Sequence, residues 1–136
     1  METIKIMGTD DTPTVILDAQ NEIFEISGRS LPEDVTAFYD PILQWLDDYS
    51  AAPKPKTIFT FKLVYFNTAS SKLLLDILMK LEQLKEAGHD VLVRWYYPED
   101  DEDMQEAGEE YADIVDVPFE QIGYTLSWVL FRFLPK

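Results

Sequence analysis

At 136 residues the chain can bury one core without staples, and with 46% apolar residues it is not composed like a disordered protein. It has no cysteine, which excludes disulfides, thiolate metal sites and cysteine nucleophiles and suits a reducing compartment. A net charge of −15, from 26 acidic against 11 basic residues, repels phosphate backbones and anionic lipid and so disfavours nucleic acid and membrane as partners.

The start METIKIMGTDD has neither the basic opening nor the apolar run of a signal peptide. No apolar stretch reaches the roughly 18 residues that a membrane span needs. The expected location is the cytoplasm.

Val15, Ile16 and Leu17, then Ile23, Phe24 and Ile26, are short β-rich runs separated by DAQNE, which predicts a hairpin. A weaker strand precedes it at Ile4 to Ile6. In SLPED, Ser30 is a possible cap and Pro32 sits near a first turn. Val35, Phe38, Ile42, Trp45, Leu46 and Tyr49 then recur at helical spacing. Pro41 interrupts this stripe, so either one helix kinks there or Asp40 caps a second one.

Thr57 to Phe66 reads as the best strand, with Phe59, Phe61, Leu63 and Tyr65 on one apolar face. After the polar joint NTASS, Leu74, Ile77, Leu78, Leu81 and Leu84 predict a helix, with Asp76 and Lys80 paired on another face and Gly88 at its end. Val91 to Tyr96 is a further strand. A helix is expected from about Asp101 to Tyr111, and an edge strand from Phe119 to Tyr124. Hairpin, helix, strand, helix, strand, helix, strand predicts an α/β domain: a mixed, mostly parallel sheet of four to five strands with three to four helices. The apolar stretch TLSWVLFRFLPK, residues 125–136, has no assigned role in this scheme.

Catalytic signatures are weak. His89 is the sole histidine, no Gly-x-Ser-x-Gly elbow accompanies it, and the five glycines form no phosphate loop. DDEDMQEAGEE, within the acidic segment 99–116, lacks the glycine-centred calcium pattern and reads more simply as a solvated helix face or a partner-facing patch. The expectation is no enzyme, no cofactor and no metal. NTASS allows two readings. Asn67 or Thr68 suits an N-cap, with Ser70 and Ser71 unobjectionable in a first turn. The same strand-to-helix joint offers free N–H groups and a positive dipole end to an anion, so one hydroxyl could carry a regulatory phosphate.

Four blocks carry a resemblance: GTDDTPTVIL, SGRSLPEDV, LVYFNTASSKLLLDIL and VLVRWYYPEDDEDMQEAGEEYADIVDVPFE. Together they span residues 7–124, in order, and resemble the SiaC family of bacterial regulatory phosphoproteins. That family looks like the STAS-type anti-sigma-factor antagonists. The resemblance implies a single regulatory domain at 7–124, leaving 125–136 as a separate tail. It also implies a Ser/Thr protein kinase that phosphorylates the threonine of the Asn-Thr-x-Ser core, here Thr68, and a PP2C-type phosphatase that reverses this. Asn67, Ser70 and Ser71 would shape the joint and contact partners with Thr68. Ala69 stands where the family often has a second serine. The unphosphorylated form would bind and activate an output protein such as a diguanylate cyclase, linking the switch to cyclic-di-GMP and biofilm behaviour. The competing expectation is a small-molecule or lipid-binding STAS-like module with a pocket lined by Trp95 and Tyr97.

Overall fold

The computed structural model describes residues 2–125. Strands β1 (Ile4–Ile6), β2 (Thr14–Asp18) and β3 (Ile23–Ser30) lead into helix α1 (Val35–Tyr49). Then β4 (Lys56–Phe66), α2 (Thr68–Glu86), β5 (Asp90–Pro98), α3 (Glu102–Ile114) and β6 (Phe119–Tyr124) alternate. The sheet has six strands rather than four to five, in sequential order. The difference is β1: its Ile4 and Ile6 pair with Leu17 and Val15 and pack against the core, which is enough to hold a three-residue strand. β1–β2 and β2–β3 are antiparallel, and β3–β4, β4–β5 and β5–β6 parallel.

Each parallel connection is a crossover through a helix, and each steps one strand in the same direction. Right-handed crossovers in one direction place their helices on one face of the sheet. The packing agrees. Phe24 meets Trp45 and Tyr49 of α1, while Trp95 meets Tyr111 of α3. α2 lies between, burying Leu74, Ile77 and Leu78 completely. The core is therefore a single layer between the sheet and three helices, and among the described residues the opposite sheet face carries no helix.

α1 is one helix through Pro41, capped by Asp34, whose carboxylate accepts from the Ala37 N–H at 3.0 Å. Pro41 faces solvent, so the bond it removes is on the wet side, while Tyr39, Ile42, Trp45, Leu46 and Tyr49 bury the other. A proline costs a helix about 3 kcal/mol. Burying five large side chains at roughly 1.5–3 kcal/mol each outweighs it. Ser30 is not a cap; it ends β3 and is buried.

The alternation of β4 breaks near its end. Phe59, Phe61 and Leu63 point into the core, but Tyr65 is exposed. Leu63 pairs with Gly28 and Tyr65 with Arg29, so Val64 is an extra residue on β4. The bulge reverses the faces: Tyr65 turns outward beneath the Arg29 guanidinium, and Phe66 turns inward against Trp95 and Tyr111.

α2 ends at Gly88 as its sequence predicts. Gly88 has φ +101°, its N–H donates to the Lys85 carbonyl and that of His89 to Leu84, a left-handed closure of the helix. The expected Asp76–Lys80 pair does not form; Lys72 reaches Asp76 and Lys80 reaches Asp47 of α1. Asp47 is the better partner because α1 and α2 pack side by side.

α3 presents Met104, Gly108 and Tyr111 to the core and its carboxylates to solvent. A Cβ on Gly108 would collide with the Trp95 ring and with the side chain of Gln121. Gly108→Ala is expected to destabilise the fold by about 1–3 kcal/mol despite the higher helix propensity of alanine. A lower urea midpoint at unchanged m-value checks this; a stabilised variant would mean α3 can lift off Trp95 at no cost.

Candidate functional site

The β4–α2 joint is built from three chain segments. Asn67 is the N-cap of α2: its Oδ1 accepts from the Ser70 N–H at 2.9 Å, and its own N–H donates to the Ser30 carbonyl at 3.0 Å. Thr68 is thus the first helical residue. It is exposed, and its hydroxyl makes no hydrogen bond among the described residues. The N–H groups of Thr68 and Ala69 have no intrahelical acceptor either, as expected at positions N1 and N2.

Beneath Thr68 the joint is rigidly held. Ser70 is fully buried, and its hydroxyl donates to the Ser30 carbonyl at 2.9 Å. The Ser30 hydroxyl donates to Ser70 Oγ at 2.9 Å, and Tyr39 Oη lies 2.6 Å from Ser30 Oγ. Because each serine has already committed its proton, Tyr39 must be the donor in that last contact. The buried chain runs from Tyr39 to Ser30 to Ser70 to a backbone carbonyl, joining α1, β3 and α2. Ser71 is half-buried; its hydroxyl donates to the Thr68 carbonyl at 2.6 Å, and its own carbonyl accepts from Tyr111 Oη of α3 at 2.7 Å.

Of the four joint residues named from sequence, Thr68 alone presents an exposed hydroxyl. Asn67 and Ser71 flank it, and Ser70 supports it from inside. Ser30, Tyr39 and Tyr111 escaped the sequence reading. Tyr39 had a signal: it lies three, seven and ten residues before Ile42, Leu46 and Tyr49, so it shares their face, and a buried tyrosine needs a partner for its hydroxyl.

The surroundings are not uniformly acidic. Val64 and Tyr65 are exposed beside the joint, Arg29 stacks on Tyr65, and Lys72 stands four residues after Thr68. The N-terminal loop closes the same end of the sheet, with Asp11 accepting from the Leu31 N–H and the Asp10 carbonyl from Arg29 Nε. Blocks distant in sequence, GTDDTP, SGRS and FNTASS, therefore meet at the C-terminal ends of β3 and β4.

Trp95 belongs to the core. It is 1% exposed, and its Nε1 donates to the Met104 carbonyl at 2.9 Å, so no ligand-facing surface is left to it. The expected pocket of Trp95 with Tyr97 does not form. His89 closes the end of α2 with its backbone, away from the joint.

The SiaC family regulatory phosphoprotein model matches residues 6–124. The chain belongs to the SiaC family. An uncharacterised protein of Pseudomonas aeruginosa (strain UCBPP-PA14) is 30% identical over 119 residues, which cover 88% of this chain and 94% of that one. The crystal structure of apo-SiaC from Pseudomonas aeruginosa superposes with a TM-score of 0.83 at 29% identity, covering 90% of this chain and all of that one. A chain in the crystal structure of the diguanylate cyclase SiaD in complex with its activator SiaC, also from Pseudomonas aeruginosa, gives 0.83 at 29% identity, covering 89% and 99%. The fold of this SiaC-family chain is thus that of the solved SiaC structures, and the family match stops at the end of β6.

Two measurements probe the joint. Asn67→Ala is expected to cost about 1 kcal/mol through the lost cap, read from denaturant unfolding; an unchanged midpoint would show that another group takes over the Ser70 N–H. The second concerns Tyr39, whose phenol burial pushes up to about 12. Burial raises Tyr111 in the same direction. Between about pH 10, where an unfolded tyrosine ionises, and the folded value of about 12 for Tyr39, the unfolded state binds fewer protons. Stability therefore falls as pH rises through that window. Tyr39→Phe should flatten the fall in urea midpoint; an identical slope would remove Tyr39 as its source.

Proposed function

We propose that this chain is a phosphorylation-controlled partner switch with Thr68 as its acceptor. The observation that carries this reading is an exposed, unengaged hydroxyl at the first position of a helix whose start is locked from beneath. The family's regulatory phosphoproteins supply the context. A Ser/Thr protein kinase transfers the γ-phosphoryl group of ATP to Thr68 Oγ1, and a PP2C-type phosphatase hydrolyses it. In its unmodified form the 7–124 domain binds and activates a diguanylate cyclase in the cytoplasm; the complex of the diguanylate cyclase SiaD with its activator SiaC supports an output partner of this kind. The chain itself regulates and does no catalysis.

The geometry explains how the phosphate would be tolerated and why it would matter. At Thr68 it sits against the unshared N–H groups of Thr68 and Ala69 and the positive end of α2. That setting contributes about 0.3–1 kcal/mol for a surface anion. Lys72, one turn on, is exposed, and its 3.4 Å contact with Asp76 is an open surface pair worth at most about 1 kcal/mol, so it can turn toward a phosphate. The modified helix therefore stays folded. A docking partner meets a different surface: about two added negative charges at an end of the molecule where Val64, Tyr65, Arg29 and Lys72 interrupt the acidic field. A partner packed there would have to desolvate the phosphate or leave.

Incubation with the cognate kinase and ATP should add one phosphate, mapped to Thr68 by peptide mass spectrometry, and Thr68→Ala should abolish it. Thr68→Asp should lower cyclase binding and activation at least tenfold, with Thr68→Ala still activating. Label retained in Thr68→Ala, or full activation by phosphorylated protein, would sink this reading. Ser70→Ala offers a control: it should lower stability by about 1–3 kcal/mol through the orphaned Ser30 groups and leave the phosphorylated position unchanged.

A further inference from the structure

β4 ends in two side chains that the core does not use. Val64 is 50% and Tyr65 45% exposed, adjacent in the chain and just before the α2 joint. Single exposed apolar side chains are ordinary. This is a pair, set by the bulge at Val64, and bulges commonly re-aim a side chain next to a site. The tyrosine is also held in place: the Arg29 guanidinium lies 5.4 Å from the centre of its ring, and Arg29 Nε donates to the Asp10 carbonyl at 3.1 Å. Arg29 is exposed, and among the described residues no carboxylate forms an ion pair with it. Acids are not lacking nearby. Glu25 lies on β3, Asp10 and Asp11 in the loop that Arg29 touches, and Glu99 and Asp100 beside Val64. The neighbouring cations differ from Arg29, for each is engaged: Lys62 with the rings of Tyr96 and Tyr124, Arg94 with Glu120, and Lys72 with Asp76.

We propose that Tyr65 and Arg29 are the anchor for the output cyclase, whose docking face offers an apolar cleft to Val64 and the tyrosine ring and a carboxylate to the guanidinium. The choice of partner rests on the switch proposed above; its chemistry follows from the pair. A partner that covers Tyr65 also covers the cation stacked on it. A guanidinium taken out of water without a counter-charge is costly, and one paired with a carboxylate in its fork is specific. No described carboxylate of the chain takes that role, so the partner supplies it. Composition agrees: tyrosine and arginine are enriched among residues that carry binding energy, and a ring already fixed by stacking loses little freedom on docking. Position agrees as well. The Cα atoms of Tyr65 and Thr68 are at most about 11 Å apart, close to the screening length of about 8 Å. A phosphate on Thr68 then acts against the carboxylate that Arg29 attracts. That sets the sign of the switch, because a partner meeting this end with a cation would bind the phosphorylated form more tightly.

The test titrates full-length wild type, Tyr65→Ala, Arg29→Glu, Arg29→Lys and Thr68→Asp against the cyclase that the unmodified chain activates. Tyr65→Ala and Arg29→Glu should each raise Kd at least about thirtyfold, with urea midpoints close to wild type. Arg29→Lys should recover only part of the affinity, because an ammonium does not reproduce the planar fork. A second readout needs no variant: phenylglyoxal should modify Arg29 in the free chain and be excluded from it in the complex, as read by peptide mass spectrometry. Arg29 modified equally in both, or full binding by Tyr65→Ala and Arg29→Glu while Thr68→Asp is lost, would overturn the anchor and leave the switch standing. Loss in the first two with wild-type binding by Thr68→Asp would support the anchor and remove the switch. Tighter binding by Arg29→Glu would overturn the partner carboxylate. A dimer of the free chain that Tyr65→Ala dissolves would overturn the cyclase as occupant in favour of a second copy.

Discussion

The carbonyl and hydroxyl of Ser30 hold the arrangement on which the rest of the site depends. β3 and α2 meet where both are deeply packed, so every polar group there must find a partner inside the protein. Ser30 supplies acceptors to the Asn67 N–H and the Ser70 hydroxyl, and is itself held by Tyr39. A hydrogen bond in such a place contributes about 1 kcal/mol net, but an orphaned partner costs up to about 3. The joint is therefore fixed more by the penalty for breaking it than by the gain from making it. Tyr111 adds a tie from α3 to the Ser71 carbonyl. All three helices thus bear on one turn, whose outermost residue is Thr68.

That convergence follows from strand order. With β3 to β6 laid down consecutively, the three crossover helices share a face and the C-terminal strand ends share an edge. The edge gathers the loop before β2, the end of β3 and the start of α2 without a long connection. Open α/β sheets place their sites at this edge because backbone groups there are not consumed by the ladder. The cost of the same order is a second face that no helix of the described residues covers, where a sheet with crossovers in both directions would have placed one.

Element identity was legible wherever burial imposes a clean period. β4 up to Leu63, the leucine stripe of α2 and the glycine stop at Gly88 follow from the sequence because each obeys one local rule. The misses share a cause: each depends on a neighbour that local pattern cannot show. Tyr65 faces solvent because β4 carries one residue more than β3 at the bulge, a property of the pair of strands. Lys80 bonds to Asp47 because α1 lies beside α2. Pro41 is tolerated because its side of α1 is wet. Ser30 looks like a helix cap by type and position, yet the strand continues to it and Asp34 takes the cap. In NTASS the residue types predicted a capped joint and the resemblance singled out Thr68. That Ser70 is buried, and that Asn67 rather than Thr68 is the cap, required the packing.

Capping and switching are not rival accounts of this joint. If Thr68 itself were the cap, its hydroxyl would be bound to a backbone N–H and unavailable to a kinase. With Asn67 in that role, the helix start is satisfied and the neighbouring hydroxyl is left free at N1. A phosphate at N1 then adds charge where the dipole accepts it, at a point the buried hydroxyl chain prevents from reorganising. Under the proposed switch the signal would be confined to the surface. At physiological ionic strength, screening over about 8 Å separates it from most of the −15 body charge. A partner at this edge would respond to the local change and not to a total that is acidic in either state.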